Sequence, residues 1–370
     1  MIFKPTLLLT ILLLVTATEE QWRTAQVNYS WNFPQDHWAR PGFKTEWWYF
    51  TGHLQAPENG QRFGYQFTFF RIGLSPSLPE IGSEWATQNL IMGHAAISEL
   101  PIRHVFSEVL YREVPFLGGF GSYPDPLIAW SRAPSGSDRR WKLTWNGEAF
   151  DFEMLDRSKK IAFTLSTSPL KPMVFQAPNG YSQKAVELSA ASQYYSFTRL
   201  ATQGEIAING QKFQVTGLSW MDKEFGSNQL TSNQVGWDWF SLQLNDGREI
   251  MLYLLRNKQG NTDFARGTLI SADSSVHYLG PEDWTVRTVD EWKSPVTEAT
   301  YPARWLLSLP EEALHLEIVP ELSNQENRSQ IVPQLHYWEG AVSIQSRNGE
   351  KVGQGYVELT GYGTNSLPAI

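Results

Sequence analysis

The stretch Phe63-Gly64-Tyr65-Gln66-Phe67-Thr68-Phe69 alternates large aromatic residues with small or polar ones at every step. Successive side chains of a strand point to opposite faces, so a period of two marks an extended strand with one face turned inward. Ile161, Phe163 and Leu165 alternate with Ala162, Thr164 and Ser166 in the same way. Asn-Gly stands at 59–60, 146–147, 179–180, 209–210 and 348–349, and Asp-Gly at 246–247. Such dipeptides supply the positive φ of tight hairpin turns. Helical spacing is confined to short pieces near Pro281 to Trp284 and Asp290 to Trp292. The sequence therefore predicts an all-β, mostly antiparallel protein.

The chain has 370 residues, room for two domains at roughly 150 residues each. With 16 Trp, 14 Tyr and 20 Phe, and only 18% charged residues, it is neither disordered, coiled coil nor collagen. A formal charge of -8 without any basic block speaks against nucleic acid as a partner. The absence of cysteine excludes disulfides, thiolate metal sites, a cysteine nucleophile and a lipid anchor through Cys. No Gly-rich phosphate loop, His-Glu-x-x-His or Gly-x-Ser-x-Gly occurs, and neither cofactor nor metal is expected.

At the N-terminus Lys4 precedes the apolar run Leu7 to Val15, then Val15-Thr16-Ala17 and the polar Thr18-Glu19-Glu20. The run falls short of the about 20 residues that span a bilayer. It reads as a secretory signal peptide, residues 1–17, leaving a mature protein that is secreted or periplasmic.

Compared with itself, the rest of the chain reads as a tandem duplication. Glu46-Trp47-Trp48-Tyr49-Phe50 and a strand ending at Arg71 resemble Gly236-Trp237-Asp238-Trp239-Phe240 and a strand ending at Arg256. Arg140-Trp141 resembles Arg304-Trp305, and Gly204 to Gly217 echoes Gly340 to Gly361. The boundary falls in the linker-like Gly226 to Gln234, giving a first barrel over 28–225 and a second over 226–370. A barrel of about eight strands can hold one small ligand among its inward side chains.

Candidate chemistry comes from polar residues on otherwise apolar strands. In Ser219-Trp220-Met221-Asp222-Lys223-Glu224-Phe225, alternation puts Trp220, Asp222 and Glu224 on one face. Two carboxylates beside an indole are either an acid–base pair with one raised pKa or a strand end salt-bridged to Lys223 and nearby arginines. Asp238, between Trp237 and Trp239 and on the face of Phe240, is either a proton donor or an anchor for backbone amides, and Glu46 beside Trp48 poses the same choice. His94 is a structural histidine unless it faces Asp222 and Glu224 across a pocket. Tyr253 could donate to a ligand, whereas Arg71 and Arg256, at matching repeat positions, read as structural. The tryptophans are core by default, yet so many rings also suit a long apolar ligand held by area and stacking.

The segments Glu46-Trp47-Trp48-Tyr49-Phe50-Thr51-Gly52, Trp220 to Gly226, Gly236 to Ser241, Tyr337 to Val342 and Gly355 to Tyr362 resemble the AttH-like secreted proteins over nearly the whole mature chain. That family is related to the carotenoid hydratases, or hydroxyneurosporene synthases. The resemblance implies two tandem lipocalin-like antiparallel β-barrels. Related hydratases protonate an alkene with a carboxylic acid, other relatives shape apolar pockets for cyclisation, and AttH-like members are grouped with an ABC-type export system or called predicted secreted hydrolases. The strand Ile250 to Leu255 carries no carboxylate to act as a hydratase acid, and Lys223 stands where many relatives have histidine.

The expected function is binding of an apolar ligand, a lipid or isoprenoid, at the domain junction, with Glu46, Trp48, Trp220, Trp237, Asp238 and Tyr253 around it. The alternatives are an enzyme, a hydratase, isomerase or hydrolase, using Asp222, Glu224 and His94 in acid–base roles, and an accessory module of an ABC-type membrane export complex.

Overall fold

The computed structural model describes residues 21–80, 82–137, 139–186, 190–363 and 366, and the expected signal peptide lies outside them. The described residues form two curled antiparallel sheets. The first holds β1 (Thr45–Gln55), β2 (Arg62–Gly73), β3 (Asn89–Leu100), β4 (Arg103–Arg112), β5 (Gly118–Phe120), β6 (Leu127–Arg132), β7 (Arg140–Trp145), β8 (Phe150–Asp156), β9 (Ile161–Pro169), β10 (Val174–Phe175), β11 (Tyr181–Gln183), β12 (Ala191–Ile208) and β13 (Gln211–Asn228). The second holds β14 (Gln234–Leu244), β15 (Glu249–Asn257), β16 (Thr262–Ile270), β17 (Val276–Leu279), β18 (Thr285–Lys293), β19 (Thr300–Leu309), β20 (Leu314–Pro320), β21 (Glu326–Arg328), β22 (His336–Ser346) and β23 (Lys351–Thr360). This is an all-β protein of two tandem antiparallel barrels.

Strand order repeats between the sheets. The first runs β4-β3-β2-β1-β13-β12-β9-β8-β7-β6-β5 and the second β17-β16-β15-β14-β23-β22-β20-β19-β18. In each, a four-strand meander joins the last two strands, and the path then runs backwards along the chain. Arg140-Trp141 and Arg304-Trp305 are out of step within this repeat, because β7 is three strands from β12 and β19 two from β22.

The Asn-Gly and Asp-Gly turns join β1 to β2, β7 to β8, β12 to β13, β14 to β15 and β22 to β23. Asn209 and Gly210, at φ 51 and 85, both occupy the left-handed region that a two-residue hairpin demands. Asn179-Gly180 differs, forming a 3-10 turn between β10 and β11. Where short helices were expected, Pro281 to Asp283 is a turn and Asp290 to Trp292 lies in β18. Among the described residues β18 pairs with β19 alone, and its exposed charges suit an edge strand.

Side chains fill both interiors. Trp48, Phe50, Phe63, Tyr65, Phe67 and Trp141 are wholly enclosed in the first, where Phe67 stacks on Phe152 at 5.0 Å and 7°. Phe240, Leu242, Trp305, Trp338 and Ile344 fill the second. The alternation in Phe63 to Phe69 predicts one wet face, yet Gly64, Gln66 and Thr68 are buried as well. Their face of the first barrel packs against the second. Along this seam Gln66 Nε2 donates to the Tyr337 hydroxyl at 3.2 Å and Asn327 Nδ2 to Gln66 Oε1 at 3.0 Å.

Candidate functional site

Alternation along β13 sends Met221, Lys223 and Phe225 toward one face and Trp220, Asp222 and Glu224 toward the other. The second face is the seam. There β1, β12 and β13 meet β14, β15 and β23 around a cavity lined by Tyr49, Tyr194, Asp222, Glu224, Trp237, Trp239, Tyr253 and Glu358, among others. About 730 Å³ of empty space lies between its walls, open mouth included. Gln229 and Leu230 of the segment joining the sheets, with Lys184 beyond β11, complete the lining.

Asp222 is 3% exposed, and its donors among the described residues are all uncharged. The Tyr194 hydroxyl donates to Oδ2 at 2.8 Å, Trp220 Nε1 donates to Oδ1 at 2.7 Å, and the Ser196 hydroxyl also donates to Oδ1. Burial disfavours the carboxylate, and these three hydrogen bonds recover part of that cost. The balance pushes Asp222 up to about 7. Tyr194 also accepts from Trp239 Nε1 at 3.2 Å, so an indole of one barrel orients the phenol that holds the acid of the other.

Glu224 accepts from Lys184 Nζ at 2.7 Å and from the Ser192 hydroxyl. The Lys184 ammonium lies 4.6 Å from the centre of the Tyr253 ring, within cation–π range. Burial opposes its charge, but Glu224, Tyr253 and Asp222 together outweigh that and hold its pKa above the ordinary lysine value. Opposite them, half-buried Glu358 accepts from Trp237 Nε1 at 3.2 Å. Burial first, then the charges of Asp222 and Glu224, push Glu358 up to about 7.

The remaining sequence candidates lie elsewhere. Glu46, wholly enclosed, pairs with Arg71 at 2.8 Å and with Lys223, and accepts from the Arg40 backbone N–H at 2.9 Å. Burial works against its charge, but Lys223 and Arg71 hold its pKa below the usual carboxylate value. Trp48 points into the first barrel, with Lys223 Nζ 3.5 Å from its ring centre. Asp238 pairs with Arg256 at 2.9 Å and accepts from the Tyr362 hydroxyl at 2.9 Å. Trp220 sits behind the wall, bonded to Asp222 and edge-on to Trp239. His94 is away from Asp222 and Glu224, with Nδ1 2.8 Å from the Tyr337 hydroxyl. Burial lowers it to about 3, so it is neutral. The structure thus brings Asp222, Glu224, Trp237 and Tyr253 together and leaves Glu46, Trp48, Asp238 and His94 outside.

Sequence reasoning missed Lys184, Tyr194, Trp239 and Glu358. Glu358 had a signal, because Tyr356 and Glu358 alternate with Gly355, Val357 and Leu359. The second barrel does bring a carboxylate to the cavity, from β23 and not from the Ile250 to Leu255 strand. Among the described residues no three His, Asp or Glu side chains are arranged to hold a metal ion.

A family model described as AttH-like matches residues 24–362. The crystal structure of AttH (NE1406) of Nitrosomonas europaea is similar at 29% identity and a TM-score of 0.76, covering 90% of this chain and 98% of that one. Kievitone hydratase of Nectria haematococca superposes with a TM-score of 0.65 at 12% identity, over 94% of this chain and 97% of that one. CghA, solved with Sch210972, superposes with a TM-score of 0.51 at 11% identity, over 87% and 90%. The last two show likeness of fold. No curated protein sequence matches significantly.

Proposed function

The chain belongs to the AttH-like family, and from that premise we propose an acid–base enzyme acting on an apolar molecule with a carbon–carbon double bond. Asp222 is the proton donor. The observation carrying this is a cavity-lining carboxyl whose donors are all uncharged, so about half of it is the neutral acid near pH 7. A general acid works best when its pKa lies near the working pH. Asp222 gives its proton to one alkene carbon, whose π pair forms the new C–H bond. Water then adds to the cationic carbon and releases a proton, which gives hydration. Loss of a neighbouring C–H proton instead gives isomerisation. Trp47, Phe70, Trp237, Trp239 and Leu255 supply apolar walls, and the Lys184–Glu224 ion pair lies on the lining to meet a polar end group. One protein of like fold is named a hydratase, a class this reading includes.

The test is to purify the wild type and Asp222→Asn from the native compartment, extract each, and compare bound small molecules by mass spectrometry. The variant is expected to retain an alkene, and added wild-type protein to convert it to a product differing by one water or to an isomer. The aromatic walls also suit binding alone. An identical molecule on both proteins, unchanged by the wild type, supports that second reading and overturns the first.

A further inference from the structure

Behind the second-barrel wall of the cavity lies a carboxyl that the mechanism above does not use. Glu339 on β22 is directly opposite Glu358 on β23 in the antiparallel register, and directly paired residues have Cβ atoms about 4.5–5.5 Å apart. Glu339 is 1% exposed, and among the described residues only the uncharged Tyr49 hydroxyl faces its carboxyl as a donor. Among the described residues no cation lies against Glu339, in contrast to Glu46 with Arg71 and Lys223. An ionised carboxylate in such a place would carry a severe desolvation cost and face a like charge across the ladder. Glu358, in contrast, lines the cavity.

Resting on the proton-transfer reading, we propose that Glu339 and Glu358 form a second carboxyl pair, in which Glu339 stays a neutral acid and Glu358 exchanges protons with the bound molecule. Each barrel then contributes one acid–base group. As Asp222 protonates the alkene and becomes a carboxylate, water forms its C–O bond to the cationic carbon and passes a proton to the Glu358 carboxylate. One water is added, and the net charge of the cavity is the same before and after. Solvent at the mouth returns both groups to their starting states. Glu339 is a positioning residue: by staying neutral it lets Glu358 carry a charge without a second one opposite. Burial, then the charge of Glu358, push Glu339 well above the usual carboxylate value.

Infrared difference spectra of the intact protein, taken against pH, test this without a substrate. The wild type minus Glu339→Gln difference is expected to show the carbonyl stretch of an un-ionised carboxylic acid at pH 7. Glu358→Gln should lower the midpoint at which that acid ionises by about one pH unit or more, as for any pair coupled strongly enough to titrate in two steps. An ionised Glu339 at pH 7, or a midpoint that Glu358→Gln leaves unmoved, overturns the proposal. Should Glu339→Gln not fold, the wild type minus Glu358→Gln difference decides, since an uncoupled Glu358 contributes one titration step and a coupled one alters two. The spectra report on the pair whether or not Asp222 turns over an alkene, so the two ideas fail separately.

Discussion

Glu46 and Asp222 are two enclosed carboxylates on adjacent strands, β1 and β13, and they have opposite fates. Glu46 turns into the first barrel and meets Arg71 and Lys223. Asp222 turns outward to the seam and meets two hydroxyls and an indole N–H besides Glu224's charge. Cations hold the first below the ordinary carboxylate range, and uncharged donors leave the second at about 7. Burial alone therefore does not make an acid. Between these two, the difference is that a full positive charge meets Glu46 and none is bonded to Asp222.

Glu46→Gln is the most severe way to break the contrast. It strands Arg71 and Lys223 without their buried counter-charge, an expected loss of about 3–5 kcal/mol in chemical denaturation. Stability from Glu46 is full above the ordinary carboxylate value of 4.5 and is lost as pH falls below it, because its folded pKa is lowered.

Asp222→Asn has the opposite sign. The raised folded pKa means Asp222 favours folding below about pH 4 and disfavours it increasingly as pH rises toward about 7. The variant is expected to be at least as stable as the wild type at pH 8, while turnover of the extracted alkene falls by about 10²–10⁴-fold. Lower stability at pH 8 would place a cation beside Asp222 and end the contrast.

Histidines sharpen it at the seam. His53 Nε2 is 2.8 Å from the Gly355 carbonyl, His94 Nδ1 2.8 Å from the Tyr337 hydroxyl and His104 Nε2 2.8 Å from Asn327 Oδ1. Burial is the leading cause holding them at about 4, 3 and 4. Their folded pKa values being depressed, stability is full above the ordinary 6.5 and falls as pH drops from there to about 4. His94→Gln should flatten this acid limb by about 1.4 kcal/mol per pH unit, read from denaturation midpoints at pH 7, 6 and 5.

Asp238→Asn is expected to have the smallest effect. Asp238 and Arg256 keep side-chain exposures of 14% and 12%, so water replaces part of what is lost, and a cost of about 1 kcal/mol is expected. A loss as large as that of Glu46→Gln would make the two first-hairpin carboxylates equivalent anchors.

Much of this was legible in local order. Alternation in Ser219 to Phe225 already placed Trp220, Asp222 and Glu224 on one face. Reflection of the chain through the Asn348-Gly349 turn sets Glu339 opposite Glu358, as the structure does. The same reflection through Asn209-Gly210 fails beyond Leu200, because a bulge between Phe197 and Leu200 shifts β12 by one residue. That shift sets Ser196 opposite Asp222 and Tyr194 opposite Glu224, and a one-residue slip exchanges the faces of a strand. Nothing in the alternation of a strand tells whether its polar face meets water or a second barrel, which is why Gln66 and His94 looked solvated or isolated and are neither.

By itself the sequence determined the β class, five of the six marked hairpin turns and which side chains of Ser219 to Phe225 share a face, since each follows from steric rules acting over a few residues. Only the tertiary structure decided which carboxylate receives a cation. Glu46 finds Lys223 across 177 positions and Tyr194 finds Trp239 across 45, and such contacts depend on how two barrels close and dock, which no local pattern encodes.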